Sequence, residues 1–158
     1  MKKSKTALIS LIFSGITAFS ALAGLYLIYN AKNTLQETKG YDQGNLILNL
    51  NRDFFFNDKL TKIRTAFEYK NKLLTENGGT FSDVEMDDYI GFFDTISSLL
   101  DKHILEYDLV DQEYGYYIKQ AYDNKEVQDY VVWVNHTYGK NGYKGFEKLG
   151  MRISKEGY

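Results

Sequence analysis

The chain has 158 residues, a formal net charge of −2, no Cys and no Pro. Without cysteine there are no disulfides, no thiolate catalysis and no Cys-based zinc or iron–sulfur site; without proline the main helix breaker is missing. Hydrophobic residues make up 44%, with 14 Tyr and 10 Phe, so the chain carries enough apolar side chain to fold and is not a disordered tail.

Residues 1–6 form a basic start containing Lys2, Lys3 and Lys5, and residues 7–29 then run without a charge. As a helix this run is roughly 34 Å long, enough to cross a hydrocarbon core of about 30 Å. It is expected to be an uncleaved transmembrane anchor, with Tyr26 and Tyr29 at the interface where aromatic belts form. The second reading is a cleaved secretory signal, residues 1–23, ending in Ala21-Leu22-Ala23 ahead of Gly24. The anchor is preferred because the apolar run continues through Leu25, Tyr26, Leu27, Ile28 and Tyr29, where a polar stretch normally comes after a cut.

Residues 30–44 are expected to connect anchor and domain, the membrane helix continuing to about Thr38 and stopping at Gly40. Residues 45–150 then read as an all-α domain, a single bundle of four or five helices, with residues 151–158 as a C-terminal tail. The first helix is placed at 45–56, with Leu46, Leu50 and Phe54 on one face. Asn57-Asp58 offers a fresh N-cap, and the next helix is expected to run to Glu76 with Leu60, Ile63, Phe67 and Leu74 inward. Asn77-Gly78-Gly79 would end it through a left-handed C-cap.

Ser82-Asp83-Val84-Glu85 is a capping box. Behind it Tyr89, Phe92, Phe93, Ile96, Leu99, Leu100 and His103 make one apolar stripe. Asp108 is expected to cap a helix whose inner face is Val110, Tyr114, Tyr117, Ile118 and Ala121. Asn124 caps another, with Val127, Tyr130, Val131 and Val134 inward. Val131-Val132-Trp133-Val134 has strand composition, but no partner strand is visible and helix is preferred. A short last helix, Tyr143 to Leu149, would end at Gly150.

From Gly40 onward the chain holds 14 Lys and Arg against 20 Asp and Glu. Asp83 to Glu113 contains ten acids opposed only by Lys102, while Lys140 to Lys155 has five cations and one acid. A net-acidic domain without a concentrated basic stripe is a poor candidate for nucleic acid.

No catalytic constellation is legible. The two histidines, His103 and His136, would need converging carboxylates to hold a metal, so no metal or other cofactor is expected. Carboxylates such as Glu85, Asp108 and Asp111 fit solvated helix faces better than a desolvated acid–base site. Gly139-Lys140-Asn141-Gly142 lacks the strand and the Ser/Thr of a phosphate loop and reads as a turn. The second half of the chain is dense in aromatics. Tyr116 and Trp133 fall off the inward stripes, and with Asp87, Asp88 and Asp94 they are the candidate partner-contact residues, Tyr and Trp being enriched at interfaces.

Phe92-Phe93-Asp94-Thr95-Ile96-Ser97-Ser98-Leu99-Leu100, then Ile104-Leu105, Asp108-Leu109-Val110, Tyr114 to Ile118 and Phe146-Glu147-Lys148-Leu149 together resemble a family of small uncharacterised bacterial membrane proteins. That family pairs one N-terminal anchor with a helical domain of unknown function, and the similarity covers roughly residues 45–150. It implies the fold and the tether but carries no chemistry across. It also implies a cytoplasmic domain, through a basic stretch after the anchor; here that stretch, Asn30-Ala31-Lys32-Asn33-Thr34, has one Lys and no Arg. The flanking charges, Lys2, Lys3 and Lys5 against Lys32 and Lys39, point instead to an exported domain. The cytoplasmic side is preferred.

The expectation is therefore a non-enzymatic, single-pass membrane protein whose helical domain scaffolds a protein partner beside the lipid bilayer. The alternative is an exported or periplasmic ligand-binding protein with residues 1–23 removed.

Overall fold

The computed structural model describes residues 29–30, 32–34, 38–40, 42–139 and 142–156. Apart from Tyr29, the expected span 7–29 lies outside these residues; no described helix is long and apolar enough to cross a membrane. The protein is all-helical. Among the described residues there is no β-strand, only an isolated bridge between Leu74 and Phe81. Two compact units divide the chain, one up to Leu46 and one from Ile47 to Tyr158.

The described part of the first unit is helical, Gly40 and residues 42–46 included. The expected stop at Gly40 is thus corrected. A helical Gly costs only about 1 kcal/mol relative to Ala, and with no Pro nearby nothing blocks the turn.

The second unit holds six helices among the described residues: helical residues 47–55 (α1), Asp58–Glu68 (α2), Asp83–Asp101 (α3), Tyr107–Tyr122 (α4), Lys125–Tyr138 (α5) and Lys144–Glu156 (α6), with a 3-10 turn at Thr75–Asn77. Local sequence explains three of the starts. Asn57 Oδ1 accepts from the amides of Lys59 and Leu60. Ser82 and Glu85 form the reciprocal capping box, and Asn124 Oδ1 accepts from Glu126 and Val127. Helix α4 departs from expectation: Glu106 stands at its N-cap but does not cap it through its side chain, and Asp108 sits inside the first turn.

Helix α2 ends eight residues before Glu76. Its end is a Schellman motif: Lys70 N–H donates to Phe67 O and Asn71 N–H to Ala66 O, with Lys70 at φ 53°. The segment after it is held extended by α5. Glu126 accepts from the Leu73 amide (2.9 Å), the Leu74 amide (2.7 Å) and Asn77 Nδ2 (2.9 Å). Leu73 and Leu74 are adjacent and both buried, which suits an extended segment enclosed on both faces. Gly79 closes the loop against the Leu73 backbone, where a Cβ would stand 2.3 Å from Leu73 O; Gly78, at φ 84°, caps the 3-10 turn rather than α2. A second Schellman end, through His103 N–H to Leu100 O and Ile104 N–H to Leu99 O, puts His103 at φ 56°. That residue is exposed rather than part of the stripe.

The centre of the bundle is aromatic. Phe54 of α1 lies within 4.8–6.0 Å, centroid to centroid, of Phe55, Tyr89, Phe92, Phe93, Tyr114 and Tyr117. Such offset and edge-on contacts add to the burial of the rings. Arg64 is buried beside them, its guanidinium 4.7 Å from the Phe54 ring and 4.8 Å from Phe55, and it donates to Phe55 O and Thr61 Oγ1. Tyr114 bonds Asn51 Oδ1 at 2.5 Å and Asn51 Nδ2 donates to Glu113, tying α1 to α4.

Helix α6 corrects the expected short helix and tail. It runs through Gly150 to Glu156 and packs most extensively on α3 and α4. Phe146, Leu149 and Ile153 are buried on its inner face. Gly150 lies flat against Tyr122, where a Cβ would be 2.4 Å from the ring. This glycine is a packing residue, not a stop.

Candidate functional site

The site is built where α5 crosses the acidic start of α3. The first turns of α3 carry Asp83, Glu85, Asp87 and Asp88, as a helix N-terminus favours. Ser82 fixes the nearest of them: its amide, and then its hydroxyl, hold the Glu85 carboxyl below the usual carboxylate range. On α5, Tyr130 faces inward with its hydroxyl turned to α3, donating to Asp87 Oδ1 at 2.6 Å and approaching the Asp83 carbonyl at 3.2 Å. Tyr143, just ahead of α6, donates to the same Asp87 oxygen. Burial, then the bonds to Asp87, push both phenols well above their ordinary range, so both remain proton donors at any physiological pH.

Trp133 sits one turn along α5. Its ring packs on Tyr130 at 5.7 Å and receives Tyr138 edge-on at 5.9 Å. It is 46% exposed and Tyr138 is 77% exposed, while Asp83, Asp87 and Asp88 are all open to solvent. The result is an accessible indole braced between two tyrosines, one of which is bonded to the exposed Asp87 carboxylate. Carboxylates accept from ammonium or guanidinium groups, and an indole face attracts the same cations. The arrangement suits a Lys- or Arg-bearing surface. It has no nucleophile–base pair.

Of the five residues singled out from sequence, the structure joins Trp133 to Asp87 through Tyr130, with Asp88 beside Asp87 in sequence. Asp94 serves α6 instead. Its Oδ1 accepts from the Phe146 amide at 3.0 Å, so α3 caps the first turn of α6. Tyr116 is exposed, but its ring contact is with Tyr117, which touches Phe55 and the Arg64 guanidinium. Among the described residues no ring contact joins Tyr116 to Trp133.

Compared with known proteins, the chain matches no family model, no curated protein and no solved structure.

Sequence reasoning assigned Tyr130 to the core and passed over Tyr143, so the clamp on Asp87 was not legible. Tyr143 lies 56 residues from Asp87, and no local pattern signals such a pair. His103 and His136 are both exposed, and among the described residues no group of three or more His, Asp or Glu converges to hold a metal ion.

Proposed function

We propose that this chain is a membrane-tethered interaction domain that holds a protein partner beside the bilayer, using the Trp133–Tyr138 surface and the carboxylates of α3 to grip a basic segment. The tether rests on the uncharged run of residues 7–29. The observation that carries the binding surface is Trp133, half exposed on a helix yet fixed by Tyr130, which is itself anchored to Asp87. A rigid, accessible aromatic with charge at its side is what interface hot spots look like. The reading is one of binding rather than catalysis. A ligand held inside the bundle, as in an exported binding protein, is less favoured because Phe54 and its six aromatic neighbours occupy the centre.

Trp133 is the sole tryptophan, so its emission reports on this surface alone. Titrating the full chain with a Lys/Arg-rich peptide should shift and saturate that emission, an acidic peptide should not, and Asp88→Asn should weaken the response. A flat titration with the basic peptide sinks the proposal. Loss of helicity in Trp133→Ala by circular dichroism would also sink it, since the ring would then be structural.

A further inference from the structure

Helix α6 has two opposite faces, and one of them corrects the expectation that the domain has no concentrated basic stripe. At 100° per residue, Phe146, Leu149, Gly150 and Ile153 fall on one side, and all four are buried. Lys144, Lys148, Arg152 and Lys155 fall on the other, within an arc of about 80°, with Met151 about 20° beyond its edge. All five are exposed. They line, with Glu147, an open shallow groove of about 520 Å³. Two of its cations have partners on neighbouring helices: the Arg152 guanidinium lies over the Tyr107 ring at 3.3 Å, and Lys148 pairs with Asp101.

We propose that this face of α6 is a docking surface for an anionic bilayer, laying the domain against the negatively charged leaflet. This rests on the membrane-tether reading above. Net charge cannot supply the attraction, because the chain from Gly40 onward has six more acids than bases; a local stripe facing the lipid can. A basic, amphipathic helix with an exposed apolar side chain at the border of its cationic face fits anionic headgroups, and each Lys or Arg near such a surface strengthens the attraction about fivefold. The uncharged run of residues 7–29 supplies the nearby bilayer. The Asp101 carboxylate opposes the contact and engages Lys148, so removing its charge should strengthen docking.

The missing cysteines permit a direct test. Full-length Met151→Cys, carrying an environment-sensitive dye, is mixed with vesicles of phosphatidylcholine alone or with 30 mol % phosphatidylglycerol, and flotation is recorded with emission. The chain should float with both vesicles, while the dye shifts to the blue and is quenched by brominated lipid only where phosphatidylglycerol is present. The shift should vanish with Lys144, Lys148 and Lys155 all changed to Gln, and should grow with Asp101→Asn. A dye at Tyr116→Cys, on α4, should report water throughout. Flotation with both vesicles but no lipid-dependent shift overturns the docking surface and leaves the tether. Flotation only with phosphatidylglycerol overturns the tether and leaves the surface. Flotation with neither overturns both. An equal shift on adding an RNA oligonucleotide to the phosphatidylcholine sample would make the stripe a general polyanion site and overturn the assignment to lipid.

Discussion

The Asp94 carboxylate of α3 accepts a hydrogen bond from the Phe146 amide of α6, 52 residues further on, at 3.0 Å. One helix therefore supplies the N-terminal cap of another, and the packing of α6 depends on it. Asp94→Ala should destabilise the protein by about 1–2 kcal/mol, in the range of lost N-caps, with Asp94→Asn costing less because the amide oxygen still accepts. Urea unfolding of the two variants checks the order.

Gly150→Ala is expected to be more damaging than a helical Gly→Ala on a free surface, where alanine usually helps. Its new methyl would stand 2.4 Å from the Tyr122 ring and 2.7 Å from the Tyr122 Cβ, close to the backbone, where the side chain has least room to swing. A loss of about 2–3 kcal/mol is expected from overpacking. Combining it with Tyr122→Ala should recover part of that loss, and a double-mutant cycle by urea denaturation measures the recovery.

Arg64 sits in the core as a cation held mainly by rings, with its two hydrogen bonds to Phe55 O and Thr61 Oγ1. Lys keeps the charge but not the plane that stacks on Phe54 and Phe55. Arg64→Lys should cost about 1–2 kcal/mol and lower the thermal midpoint, read by circular dichroism.

The Tyr89 hydroxyl is fully buried without a hydrogen-bond partner among the described residues. Burial pushes its pKa far up, so the group is an idle, neutral phenol. An unsatisfied buried hydroxyl costs about 1–3 kcal/mol. Tyr89→Phe should therefore be neutral or stabilise by up to about 1 kcal/mol, while keeping the ring contacts with Phe54, Phe67 and Phe93. A clear destabilisation in chemical denaturation would mean that the hydroxyl has a partner after all.

Glu126 gives the protein an acid-sensitive joint. Partial burial raises its carboxyl, but the bonds from the Leu73 amide, Asn77 and the Leu74 amide outweigh this and hold it below 4.5. A depressed folded value contributes stability that is complete above pH 4.5 and lost as the pH falls through the folded value. Glu126→Gln should lower stability near neutrality and flatten its decline as the pH falls below the ordinary carboxylate range, as followed by thermal melts across pH.

How far the chain was readable depends on the reach of each interaction. The Asn57, Ser82–Glu85 and Asn124 caps are closed within three residues, and the inner stripe of α5, Val127, Tyr130, Val131 and Val134, is buried throughout. The stop expected at Gly40, the cap expected at Asp108 and the local end of α2 were misread, and other features escaped because their causes lie far along the chain: the extended course after α2, the passage of α6 through Gly150, and the clamp on Asp87. The extended segment after α2 is held by Glu126, over 50 residues away, and Gly150 reads as a stop until Tyr122 is found against it. Trp133 and Tyr116 looked alike, as aromatics off the inward stripes; only the packing put one against Tyr130, which holds Asp87, and the other beside Tyr117. Sequence by itself determined the helical class, the caps at Asn57, Ser82 and Asn124, and the inward stripe of α5, because these interactions span a single turn. Tertiary structure alone decided where the helices end and which carboxylates are spent on structure, because each of those choices needs a partner brought in from another helix.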